Sequence, residues 1–254
     1  MPGSSPGFDP FHQAADARAR VSVLVYQGLF FEGADGKAHP LLVESYDVSD
    51  DRLVYTFNLR KGVQFHSGGE MTAKDVVYSY DYMRDPNSGA HGAQDLAMIS
   101  SIEAVDDHTV RMTLSQPNAA LLMTLGNKIG GVVPVGTLDG EDARNRLNTE
   151  SFGTGPFILS EFVPNSHISL VRNENYWEEG APYLDAIDFS ILPNSAAMIV
   201  ALRNQRVDLV PLNRPQDIQQ IPQDAGLTIE RWPSLAQTAI DLGSELEPLN
   251  DVRV

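Results

Sequence analysis

The sequence predicts a mixed α/β fold, and three observations predict it. Leu53 to Leu59 alternates apolar and polar residues as a half-buried strand does, Thr72 to Met83 carries a capped amphipathic helix, and from Phe152 onward strand and helix patterns follow one another in turn. With 254 residues, the chain is long enough for one large domain or two modest ones, each with a core of its own.

Val21 to Phe31 reads as a mostly buried element ending near Gly33, open between helix and strand because apolar residues fall at nearly every position. Glu32 to Pro40 holds Gly33, Gly36 and Pro40 and is a turn. After the strand Leu53 to Leu59, the turn Arg60-Lys61-Gly62 and a short strand Val63-Gln64-Phe65 predict a hairpin. Thr72, with Asp75 three residues on in place of the usual Glu, caps a helix from about Ala73 to Met83. Its Val76, Val77, Tyr80 and Met83 share one face, and Asp85-Pro86-Asn87-Ser88-Gly89 stops it. Ser101 to Val105 and Thr109 to Leu114 are strands joined by the turn Asp106-Asp107-His108. A short apolar helix, Ala119 to Leu125, and a Gly-rich passage, Gly126 to Gly131, lead into Val132-Val133-Pro134.

Beyond Gly153-Thr154-Gly155-Pro156 the texture changes. Phe157-Ile158-Leu159 and Ile168-Leu170-Val171 are strands around a turn at Pro164-Asn165, and Ile187-Phe189-Ile191 is another strand. Ser195 caps a helix with Met198, Ile199 and Leu202 on one side, and Val207-Asp208-Leu209-Val210 returns as a strand, an order that predicts a parallel crossover. The expected outcome is a mixed sheet made by residues 150–254 with the N-terminal segment, beside a separate β-rich subdomain around Leu53 to Leu114.

Composition removes several functions. There are 34 Asp and Glu against 18 Lys and Arg, a net charge of -16, where a polyanion binder needs the opposite excess to displace phosphate counterions. Nucleic acid and anionic membrane surfaces are therefore excluded as partners. With 42% apolar residues and a mean hydropathy of -0.20 the chain is globular, and no apolar stretch is long enough to span a bilayer. The absence of Cys excludes disulfides and thiolate chemistry without fixing the compartment. Met1 to Gly7 has neither a basic nor an apolar leader region, so either the protein is cytosolic or its leader has been lost from this sequence.

Chemical motifs are tested and fall away. Gly3-Ser4-Ser5-Pro6-Gly7 has the spacing of a hydrolase nucleophile elbow but neither the strand before it nor the helix after it. Gly153-Thr154-Gly155 lacks the third glycine of a dinucleotide loop, and no Walker-type Gly-Lys-Ser/Thr occurs, so no nucleotide cofactor is expected. The six His residues are scattered with no i, i+4 pair, and no metal site is expected. Asp50-Asp51 and Asp106-Asp107 read as solvated turns. Asn173 to Trp177 offers an aromatic platform for a ligand, against which the area a buried Trp removes from water argues for a structural plug. No catalytic residue is predicted.

Several of these segments together resemble one family. Phe8-Asp9-Pro10, Tyr26-Gln27-Gly28-Leu29-Phe30, Tyr55 to His66, Met71 to Ser79, Gly153-Thr154-Gly155-Pro156 and Asn175-Tyr176-Trp177 occur in this order. In that order they resemble the peptide and nickel class of extracellular solute-binding proteins, family 5, that feed ABC importers. The resemblance implies a two-lobed clamshell of the type II periplasmic-binding kind. Residues 1–44 and 151–254 would then form lobe I, residues 45–150 an inserted β-rich subdomain, and lobe II would lie beyond Val254, so that this sequence is about half of a binding protein. A departure falls at Gln205, where the family usually has Gly ahead of a Val-Asp pair like Val207-Asp208. A helix ending there must use an unfavourable left-handed residue or a different turn.

The function implied is a non-enzymatic receptor that captures a peptide or similar small solute outside the membrane and hands it to the permease subunits of an ABC importer. The protein would be a monomer, periplasmic or extracellular, with a lipid anchor as an option for the full-length form. The resemblance places ligand contacts in loops facing the cleft: Gln13, Ala14 and Asp16 after the Asp-Pro motif, His91 in the loop to Ala93, and Gly130 within Asn127 to Gly131. Alternatives are nickel, metal-chelate or oligosaccharide cargo, or the sensor module of a regulator. Gly130 and Gly131 stand where nickel binders of the family carry an Arg, which disfavours an anionic metal chelate.

Overall fold

A computed structural model describes residues 9–12, 16–126, 131–140, 142–212, 215–219, 221 and 227–230. In chain order the elements are α1 (Asp16–Val25), β1 (Phe30–Glu32), β2 (Ala38–Pro40), β3 (Val43–Val48), β4 (Val54–Leu59), α2 (Ala73–Arg84), β5 (Ile99–Asp106) and β6 (Thr109–Leu114). They continue as α3 (Leu121–Gly126), α4 (Ala143–Thr149), β7 (Phe157–Val163), β8 (His167–Arg172), β9 (Ala186–Ser190), α5 (Ser195–Arg203) and α6 (Pro215–Ile218). The chain divides into two compact units, Met1–Leu192 and Pro193–Val254.

The first unit is built from antiparallel pairings: a β1-β2 ribbon, a four-stranded sheet in the order β3-β4-β6-β5, and a three-stranded sheet β7-β8-β9. In the four-stranded sheet the alternation read in the sequence sets the faces. Tyr55, Phe57 and Leu59 of β4 and Val110, Met112 and Leu114 of β6 point inward, and α2 closes over that side with Val76, Tyr80 and Met83. Phe30 meets Phe57 edge-on at 5.7 Å between ring centroids. One apolar cluster runs from these residues through Phe11, Val25 and Leu29 to Phe157, Leu159, Ile168 and Leu170, so the sheets share a core.

The α2 start is the clearest case of sequence dictating geometry. The Asp75 carboxylate accepts from the Thr72 backbone N–H at 2.8 Å while the Thr72 side chain takes the Asp75 backbone N–H, the reciprocal pair of a capping box, and the same carboxylate oxygen also accepts from the Thr72 hydroxyl at 2.8 Å. Its other oxygen accepts from the Val135 N–H at 3.0 Å. Asp75 therefore caps the helix and ties down a distant segment at once.

Elsewhere the structure corrects the sequence reading. Val63-Gln64-Phe65 is no strand of a hairpin; Gln64 makes only an isolated bridge to Glu70, and β4 pairs instead with β3 and β6. The true hairpin partner, β3, is exposed from Glu44 onward and so carries no apolar alternation to read. The ambiguous Val21 to Phe31 stretch is split: helix to Val25, an irregular bend, then β1 from Phe30. The N-terminal segment thus contributes a helix, α1, and no strand to the β7-β8-β9 sheet, whose strands are all antiparallel. Val207 to Val210 is not a strand, and Leu209 is 77% exposed, so no parallel crossover forms among the described residues. Helix α5 is capped by Asn194, whose side chain accepts from the Ala197 N–H at 2.9 Å, one residue before the expected Ser195. Helix α4 was not foreseen.

Helix α5 ends as the Gln205 departure requires. Arg206 N–H donates to the Ala201 carbonyl at 2.9 Å and Gln205 N–H to the Leu202 carbonyl at 3.0 Å, the paired bonds of a left-handed helix terminus. Gln205 sits at φ 54°, where glycine is ordinarily used.

Candidate functional site

Two polar assemblies hold the N-terminal segment against the rest of the first unit. The first is centred on Gln27, 4% exposed. Its Oε1 accepts from the Trp177 indole N–H at 3.0 Å and from the Thr154 hydroxyl at 3.2 Å, while its Nε2 donates to the Tyr176 hydroxyl at 2.9 Å. A buried amide must satisfy its donors and acceptors, and here the partners all come from the stretch beyond Phe152, the return segment. The Arg60 guanidinium lies 4.7 Å from the centre of the Trp177 ring. Trp177 is half-buried, less than the sequence suggested, but its N–H and one face are engaged, so it serves as a plug and not as an open platform.

The Gly-Thr-Gly run explains itself in the same place. Gly155 N–H donates to the Val25 carbonyl at 2.9 Å, and a Cβ on Gly153 would collide with the Val25 carbonyl oxygen. Only glycine lets this strand of backbone lie against the end of α1. The Gly155 carbonyl accepts from Asn173 Nδ2 and from His66 Nε2, each at 2.9 Å, which fixes His66 as the Nε2–H tautomer with Nδ1 facing the Ser151 hydroxyl at 2.8 Å. Burial, against a smaller opposing effect of the Gly155 hydrogen bond, pushes the His66 pKa below its ordinary value and favours the neutral ring.

The second assembly is the strap Asp9 to His12. Asp9 N–H donates to Asn148 Oδ1 at 2.9 Å, and Asp9 Oδ1 accepts from the Phe11 N–H at 2.8 Å. Phe11 is fully buried, edge-on to Tyr82 at 5.6 Å. His12 bridges Asp9 and the Ser88 carbonyl. The Asp-Pro pair stands among the sequence motifs, but the Asp9–His12 spacing and Gln27 as a polar centre do not; an amide inside an apolar run is the available signal for the latter.

Of the residues predicted to contact a ligand, His91 is exposed, and its backbone N–H donates to the Phe11 carbonyl at 2.8 Å, which brings that turn to the strap. Asp16 is the first residue of α1. Gln13, Ala14 and Gly130 lie outside the described residues. The residues just after Gly130 press on the end of α1: a Cβ on Gly131 would stand 2.8 Å from Tyr26 Cβ, and Val132 N–H donates to the Gln27 carbonyl at 2.9 Å. The His91 turn and Gly131 are thus seated on residues to either side of α1. Among the described residues there is no group of three His, Asp or Glu able to hold a metal, and no helix long and apolar enough to cross a membrane.

Comparison with known proteins places this architecture. Di/tripeptide-binding protein 2 of Pseudomonas aeruginosa (strain UCBPP-PA14) is 30% identical over 270 residues, covering 98% of this chain and 51% of that protein. The chain spans about half the length of the curated relatives it matches. The structure of the PBP AgaA from A. tumefaciens R10 in complex with agropinic acid aligns with a TM-score of 0.75 and 32% identity, over 81% of this chain and 41% of that one. The ABC transporter-associated periplasmic binding protein DppA from Helicobacter pylori, in complex with the peptide STSA, aligns with a TM-score of 0.72 and 31% identity, over 80% and 44%. The family model for bacterial extracellular solute-binding proteins, family 5 Middle, matches residues 37–254, and the chain belongs to that family.

Proposed function

We propose that this chain supplies one lobe of a binding protein that captures a di- or tripeptide outside the membrane and delivers it to an ABC permease, without catalysing a reaction. The observation that carries this reading is the correspondence, along 98% of the chain, with a relative named for di- and tripeptides. Lobe I comprises residues 1–44 and 151–254, with residues 45–150 inserted, and lobe II follows Val254 in the full-length protein. The bonds from Gln27 to Tyr176 and Trp177, and from Gly155 to Val25, support joining the N-terminal and return segments in one lobe. Gln13, Ala14, Asp16, His91 and Gly130 form this lobe's share of the ligand contacts. The seating of the His91 turn on Phe11, and of Gly131 on Tyr26, supports that grouping. Asp16 is the carboxylate that meets the peptide amine. The full-length protein is a periplasmic or extracellular monomer.

A second reading, an opine-like solute, is favoured by the likeness to AgaA. A thermal-shift screen of the full-length protein against dipeptides, tripeptides, agropinic acid and nickel–histidine separates the two. Ligand binding to the native state raises Tm by mass action, and the peptide reading expects the di- and tripeptides to raise it. A rise with agropinic acid alone would transfer the assignment to opines.

A further inference from the structure

The side chain of His12 sits between two groups that can only accept. Its Nδ1 is 2.7 Å from Asp9 Oδ2 and its Nε2 is 3.1 Å from the Ser88 carbonyl oxygen. A carboxylate and a carbonyl each need a proton from the ring, so the bridge is complete only when both nitrogens carry hydrogen and the ring is an imidazolium. A neutral ring must give up one bond. If it keeps the Asp9 bond, Nε2 turns a lone pair toward the Ser88 carbonyl, and among the described residues the Tyr82 hydroxyl, at 3.3 Å, is the donor within reach.

We propose that His12 is a proton-operated clasp: protonated, it fastens the Asp9–His12 strap to the turn containing Ser88 and His91, and on losing its proton it releases that turn. The geometry gives the clasp leverage. The His12 and Asp9 side chains are only 13% and 7% exposed, so their pairing is poorly screened by water. The same strap holds the far end of the turn, through the His91 N–H on the Phe11 carbonyl at 2.8 Å. Among the described residues, the charged and titratable groups facing His12 are Asp9 on its own segment, Tyr82 on α2 and Arg144 on α4; Asp85, at the end of α2, acts on Tyr82. The Asp9 hydrogen bond raises the His12 pKa above its ordinary 6.5, against smaller opposing effects of burial and Arg144. A raised native pKa means that the docked strap holds the proton more tightly than the released one. Its stabilisation is therefore complete below pH 6.5 and is lost as pH climbs through the docked-state pKa. The device acts on the turn whatever the cargo is.

The test is made on the whole chain by nuclear magnetic resonance. Nitrogen-15 shifts of the His12 ring, followed from pH 5 to 9, are expected to show both nitrogens protonated at acid pH, with a midpoint above 6.5. Protection of the His91 amide, corrected for intrinsic chemical exchange, is expected to fall by up to about tenfold per pH unit above 6.5 until the docked-state pKa is passed. Asp9→Asn should lower the midpoint and start the loss of protection at lower pH. A midpoint at or below 6.5, or His91 protection unchanged between pH 5.5 and 8.5, would overturn the clasp. Should Asp9→Asn fail to fold by circular dichroism, the wild-type titration and exchange decide the matter on their own.

Discussion

At the residue scale, Trp177 and Gln27 bind the return segment to the N-terminal segment. The indole contributes packing against the core, a hydrogen bond to a buried amide, and a ring face for Arg60. Full truncation of a buried Trp costs about 3–5 kcal/mol; for a half-buried one, about 2 kcal/mol is the reasonable scale. In a chain of this size each kcal/mol moves Tm by roughly 2–4 °C. Trp177→Ala is therefore expected to lower Tm by about 4–8 °C in a calorimetric scan, and an unchanged Tm would return the ring to the role of ligand platform. The Tyr78 hydroxyl makes a comparable tie farther along, donating to Asp139 and accepting from the Leu138 N–H, both at 2.8 Å; burial, with help from Asp139, pushes its pKa up to about 12. It stays a donor throughout the physiological range.

At the element scale, α5 carries a local conflict that can be removed. A non-glycine residue in the left-handed region costs roughly 1 kcal/mol relative to glycine, and Gln205 occupies that region at φ 54°. Gln205→Gly is expected to stabilise the second unit by up to about 1 kcal/mol, less whatever the added freedom of glycine gives the unfolded chain. Urea denaturation would check it, and a loss of stability would mean that the Gln205 side chain has a role the helix terminus does not reveal. That conflict was visible only against the family pattern, which usually has Gly where Gln205 stands. By contrast, α2 was legible from Thr72, Asp75 and a repeating apolar face, and the β5-β6 pair from its Asp-rich turn. The failures share a cause. Strand β3 is exposed along nearly its whole length, so its place depends on backbone bonds to β4 and not on side-chain pattern. Val207 to Val210 has strand-like residues but pairs with no strand among the described residues. Pairing partners are a tertiary fact, and alternation alone does not supply them. The polar ties of the candidate site were opaque for the same reason: Gln27 and Tyr176 are 149 residues apart.

At the scale of the whole molecule, the proposed function makes the chain one side of a closing site. Its charge of -16 argues against a polyanion partner. A ligand held between two lobes divides its contacts between them. A micromolar complex, about -8 kcal/mol, that keeps half of its interaction sits near -4 kcal/mol, which is millimolar. Loss of the closing lobe also leaves water among the polar contacts, where each is weaker. The most direct measurement is titration calorimetry of one mixed set of di- and tripeptides into the full-length protein and into residues 1–254. Micromolar or tighter binding is expected for the first, weakened by Asp16→Ala, and millimolar or undetectable binding for the second; submicromolar binding by residues 1–254 alone, or no peptide binding by the full-length protein, would overturn the proposed division of the site.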